Sequence, residues 1–208
     1  MAIEVVWFKR DLRSRDHLPL LSAALSGKDV LCLFVLETER FDQPDIDPIH
    51  IEWELDCAID LSKNLENSGA SLHFKIGNII DILNEINDKY EITRLLSHEE
   101  TGNSWSYERD KNVKKWCNSL KIEWHEYPNN GVIRNLKNRD FWTRERNLRM
   151  CIPLSESPIF INNINYNGKI PTMDDIGLNV KKLENRPTPG ENAAFEKLHF
   201  FLNKSGER

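Results

Sequence analysis

Residues 1–127 predict an α/β domain: a doubly wound, Rossmann-like, five-stranded parallel sheet with helices on both faces. Strand-length apolar runs alternate five times with amphipathic segments, the pattern of βαβ units. The run Val30–Leu36 is apolar throughout, as in a strand covered on both sides. Crossovers of this kind are right-handed, which fixes the winding.

Ile3–Phe8 is the first strand, and 17–25 the first helix, with Asp16 as its N-cap. Asp29–Leu36 is the second strand. Residues 37–47 are acidic and proline-containing, hence a loop. In 49–69, Ile51, Leu55, Ala58 and Leu61 recur at helical spacing, and Gly69 stops the helix. A short strand over 71–77 precedes a helix over 78–90 capped by Asn78. The fourth strand lies within 92–100, the fourth helix over 106–120 and the fifth strand over 121–127.

Beyond Tyr127 the periodicity fades. One helix is expected near Arg139–Met150, and 160–190 reads as a long connector rich in Pro, Gly and Asn. Residues 191–206 form a clear helix, with Ala194, Phe195, Leu198, Phe201 and Leu202 on one face. The expected division is therefore 1–127, 128–190 and 191–208. The last helix has no partner in sequence, so it reads as the first element of a further domain.

Net charge is −5, which does not mark the whole chain as a nucleic-acid binder. The charge is uneven, with 15 basic against 24 acidic residues in 1–127 and 13 against 9 in 128–208. Arg134, Lys137, Arg139, Arg144, Arg146 and Arg149, interleaved with Phe141 and Trp142, fit a nucleic-acid surface or a connector held against the acidic first domain. Cys32, Cys57, Cys117 and Cys151 are scattered, without metal spacing, and read as reduced, mostly buried thiols of a cytoplasmic protein. No signal peptide or membrane span is expected.

No GxG, P-loop, HExxH or GxSxG motif occurs. In a doubly wound sheet the ligand site lies outside the carboxyl ends of the strands. Those ends are Lys9–Asp11, Leu36–Glu39 and Ser97–Asn103. His98, Glu99 and Glu100 read either as an acid/base or metal group or as a loop of solvated charges.

The stretch "VVWFKRDLRSRDHLPL" resembles the opening signature of the photolyase/cryptochrome family. "LCLFVLE", "SHEETGNSWSYERDKNV", "NNGVIRNLKNRDFWTRERNLRM" and "PTPGENAAFEKLHFFL" resemble its second strand, the segment after its fourth strand, its connector and the Gly–Glu start of its helical flavin domain. The resemblance implies an N-terminal light-harvesting domain plus connector. The full-length protein it implies would perform light-dependent repair of pyrimidine dimers as a lyase. Alternatives are a cryptochrome-type blue-light receptor, or a free-standing nucleotide-binding or interaction module.

By the same resemblance FAD belongs to a helical domain beyond residue 191, as does contact with damaged DNA, so the chain alone should carry no FAD and repair nothing. Arg10, Asp11 and Arg13 are expected as interdomain anchors. Folate-binding members carry an Asn–Glu pair ahead of the Arg–Asp. Trp105 and Ser106 stand there instead, so a deazaflavin or flavin mononucleotide (FMN) is expected as antenna chromophore in preference to a folate, with an empty antenna site as the alternative. Its implied contacts are Phe34, Val35, Leu36, His50, His98, Glu99, Glu100 and Trp105, the last stacking on the ring or simply covering the sheet edge. Self-association through residues 191–203 is a further expectation.

Overall fold

The computed structural model describes residues 1–166, 168–181 and 184–205. Its sheet is fully parallel in the order β3-β2-β1-β4-β5. The strands are β1 (Ala2–Phe8), β2 (Asp29–Leu36), β3 (Leu72–Ile76), β4 (Glu91–His98) and β5 (Glu123–Tyr127). The helices are α1 (Leu18–Leu25), α2 (Pro48–Glu66), α3 (Ile79–Lys89), α4 (Ser104–Leu120), α5 (Trp142–Met150) and α6 (Glu191–Phe200). The chain reverses direction across the sheet between β1 and β4, the position where such folds open a crevice.

Alternation along the strands divides the core in two. Val6, Phe8, Cys32 and Phe34 pack with Leu20 of α1 and Ile51, Leu55 and Leu61 of α2. Val5, Trp7, Leu31 and Leu33 pack on the opposite face with Ile82 and Ile86 of α3 and Val113 and Cys117 of α4. Burying each large aliphatic side chain stabilises the fold by about 1.5–3 kcal/mol, so the two layers carry most of the stability.

Asn78 caps α3 as expected, its side chain accepting from Ile80 N–H. Asp16 does not cap α1. It sits at φ +50°, and its carboxylate accepts from Ser155 N–H of the connector. His17 takes the role, with Nδ1 accepting from Leu20 N–H. The loop read over 37–47 holds a 3₁₀ turn (Thr38–Arg40) and ends at Asp47, which caps α2. All four cysteines are free, but only Cys32 and Cys117 are buried.

The connector is more integrated than its composition implied. β3 pairs with β2 only from Cys32 onward, leaving the first part of that edge open. Connector backbone fills it: Val30 N–H donates to Asn162 O at 2.7 Å, and Ile164 N–H donates to Val30 O at 3.1 Å. Ile161 then enters one core layer, and Ile164 and Tyr166 the other. The final helix is α-helical to Phe200 and widens to a π-turn over Phe201–Ser205, while Gly206 lies outside the described residues. No helix among the described residues is long and apolar enough to cross a membrane.

Candidate functional site

Two structures occupy the carboxyl ends of the strands. The first is an internal polar cluster. Asp11 Oδ1 accepts from Lys9 N–H, and Oδ2 accepts from His17 Nε2 at 2.9 Å and His98 Nδ1 at 2.6 Å. All three side chains are buried. His17 Nδ1 is already an acceptor, so the proton must sit on Nε2. With the proton on Nε2 aimed at Asp11, the three side chains satisfy one another as a hydrogen-bonded anchor. Burial opposes the Asp11 charge, yet the bonds from His17 and His98 outweigh it and hold the carboxyl well below its ordinary range. Burial pushes the His17 imidazole down, more than its bond to Asp11 raises it.

Beside this anchor lies a balanced ion network. Lys9 meets Asp110 at 3.2 Å, and Arg10 meets Glu100 at 3.2 Å. Arg109 meets Glu37 at 2.6 Å, Glu100 at 2.5 Å and Asp110 at 2.8 Å. From the connector, Arg134 reaches Glu126 and Asp110, and Arg149 reaches Glu99. Burial pushes the Glu37 carboxyl up to about 7 against the pull of Arg109. Arg109 is buried, but Glu37, Glu100 and Asp110 secure its charge. A dense cluster of charges at the end of a core strand is therefore explained by mutual neutralisation in a part-buried site.

The second structure is a groove of about 910 Å³ between the β1–α1 loop, α2 and α6. Leu12, Ile46, Trp53, Leu154, Phe195 and Leu198 give it apolar walls. Arg10, Arg40, Asp45 and His50 supply the polar rim. Arg40 is 6% exposed and paired with Glu54, while its Nε–H has no protein partner. His50 Nδ1 accepts from Asp47 N–H, so Nε2 is left for another partner.

The residues named from sequence fall into four sets. His50 lines the groove, together with Arg10, Asp11 and Arg13. Phe34, Val35 and Leu36 are at most 5% exposed and closed within the core layers, so they offer the groove no surface. His98, Glu99 and Glu100 are not solvated loop charges: His98 belongs to the anchor, and both glutamates are paired with arginines. Trp105 lies under the Arg109 guanidinium, 5.3 Å from ring to carbon, outside the groove lining.

Of the expected interdomain anchors, Asp11 faces inward. Arg13 donates to Asp16 O and to Asn129 of the connector. The residues that do grip α6 are the next two, Ser14 and Arg15. Of the basic connector segment, Arg134 and Arg149 bind the first domain, whereas Lys137, Arg139 and Arg144 project outward. His17, Trp53 and the Arg40–Glu54 pair were missed. The first could have been found as the side chain directly before an apolar helical run.

A family model described as DNA photolyase matches residues 4–137. Cryptochrome DASH of Oryza sativa subsp. japonica is 23% identical, covering 99% of this chain and 42% of that protein. Cryptochrome DASH of Solanum lycopersicum is 28% identical over 48% of this chain and 18% of the relative. Among solved structures, a class III photolyase from Agrobacterium tumefaciens superposes with TM-score 0.80 at 20% identity, covering 98% of this chain and 45% of its own. A Synechocystis cryptochrome superposes with TM-score 0.78 at 18% identity, covering 100% and 47%. An archaeal photolyase from Sulfolobus tokodaii, described with two FAD molecules, gives 0.61 at 18% identity over 79% of this chain and 38% of that one. The chain spans less than half the length of each of these relatives. With the fold, the strand order and the family match over residues 4–137 in agreement, the chain belongs to the DNA photolyase family and presents the N-terminal α/β domain of a photolyase or cryptochrome.

Proposed function

We propose that residues 1–127 form a light-harvesting chromophore domain, that 128–190 strap it, and that residues from 191 begin the helical flavin domain of a cytoplasmic photolyase-like protein. The whole protein would use FAD in light-dependent repair of pyrimidine dimers, with DNA bound by the helical domain. The observation that carries this reading is the groove at the strand carboxyl ends. It is large enough for a three-ring chromophore, apolar where a ring face would lie, and polar where ring edges would lie.

The fit is chemical as well as steric. Trp53 presents an aromatic surface to a planar ring. His50 Nε2, left free by the bond that Nδ1 accepts from Asp47 N–H, offers a polar contact for a ring edge. A chromophore held here would absorb light and pass the excitation on. The residues of this chain bind it, orient it and exclude water. Trp105, stacked with Arg109 outside the groove, is engaged elsewhere, which favours a deazaflavin or FMN over a folate.

The test is a fluorescence titration of the purified chain with a deazaflavin, FMN and a reduced folate. Saturable quenching by one of the first two is expected. A clear preference for the folate would overturn the assignment to this groove.

A further inference from the structure

The third wall of the groove is α6, and one residue fastens it. Glu191 is 7% exposed. Its Oε2 accepts from Ser14 N–H and Ser14 Oγ–H, both at 3.0 Å, and Oε1 accepts from Arg15 N–H at 2.9 Å. Its own N–H donates to Asp60 Oδ2 of α2 at 3.1 Å. Three donors on one carboxylate are charge-assisted and out of water, which makes them stronger than ordinary hydrogen bonds. Arg15 adds its guanidinium over the Phe195 ring at 4.8 Å and a bond to Asn192 at 3.3 Å.

Gly190 makes this approach possible. Its φ is +98°, a left-handed value, and a Cβ there would fall inside the Asp60 carboxylate. Beyond this first turn the grip weakens: Phe195 is 47% exposed and Leu198 50%, although both line the groove. The helix is therefore pinned at one end to the same loop that forms the opposite wall.

We propose that the Gly190–Glu191 pair is a latch that positions α6 as a groove wall, so that occupation of the groove and docking of α6 stabilise each other. This rests on reading the groove as a ligand site. A ligand touching Trp53, Phe195 and Leu198 together binds only the latched arrangement. By linkage, whatever factor the latch contributes to ligand affinity, the ligand returns to the docking of α6. Ser14 and Arg15 are then positioning residues acting through Glu191, and the coupling passes to any chain that follows α6.

The test compares wild type with Glu191→Ala and Glu191→Gln, using FMN as probe. Trypsin cleavage after Lys197, within α6, reports local opening, and amide exchange in β1 and β4 reports the sheet. Glu191→Ala is expected to speed that cleavage at least about tenfold with the sheet unchanged. Glu191→Gln should lie between, because it keeps the shape and loses the charge. FMN should slow cleavage in wild type and bind Glu191→Ala more weakly by a similar factor, which a purely structural tie would not produce. Unchanged cleavage in Glu191→Ala would overturn the latch, and faster cleavage with unaltered FMN affinity would overturn the coupling. If wild type takes up no FMN, the reading of the groove fails, and the cleavage rates alone decide the latch.

Discussion

Buried in one hydrogen-bonded unit, His17 and Asp11 both titrate below their ordinary values. In the unfolded chain a histidine takes up a proton below about pH 6.5. In the folded protein burial keeps His17 neutral to lower pH, so the unfolded state binds more protons in that window and stability falls as pH falls below about 6.5. Asp11 acts in the same sense at more acid pH, its stabilisation lost as pH drops from about 3.9 through its lowered folded value. Glu37, pushed up to about 7, acts oppositely, because its folded form holds a proton that the unfolded form has released. The His17 share is therefore read by difference. Urea unfolding of wild type and His17→Asn at pH 5.5, 6.5 and 7.5 should show a steeper loss of stability toward the acid end in wild type than in the variant. Parallel pH profiles would mean that His17 is not held neutral. None of this was legible locally, since Asp11, His17 and His98 meet only when β1 and β4 pair.

Elements differ in how far their neighbours determine them. β2, α2 and α3 formed as the sequence predicted to within a few residues, since each carries its own apolar periodicity and α3 its own cap. The connector follows another logic. Its Ile161 and Ile164 belong to no sustained helical or strand period, and their burial depends on an edge of β2 that β3 leaves uncovered. Ile164 is 6% exposed. Ile164→Ala should cost about 2–4 kcal/mol through lost burial and the cavity left behind. Because it also loosens the strap, trypsin should cut the connector after Lys169 faster than in wild type. Full stability of this variant by thermal unfolding, with unchanged cleavage, would show the connector to be laid over the domain without belonging to it.

At the scale of the molecule, the groove joins three elements that are distant in sequence, with Trp53 of α2 and Phe195 of α6 among its walls. Trp53 is half-buried, with Arg186 of the connector 5.4 Å from its ring. Trp53→Ala should weaken FMN binding by about tenfold, the worth of one lost aromatic stacking contact of about 1–1.5 kcal/mol. The melting temperature should move by no more than a few degrees, because Trp53 is outside the sealed core layers. An unaltered affinity would place the ligand elsewhere. The sequence by itself determined the parallel sheet, its helices and the family signature, because periodicity, capping and strand–helix alternation are local properties of the chain. Only the tertiary structure decided that Phe34–Leu36 are sealed, that the charges after β1 neutralise one another, and that Glu191 closes onto Ser14 and Arg15. Those outcomes depend on which side chains meet across sequence separations of 87 to 177 residues, and on burial that strengthens the pairings that are satisfied and penalises those that are not.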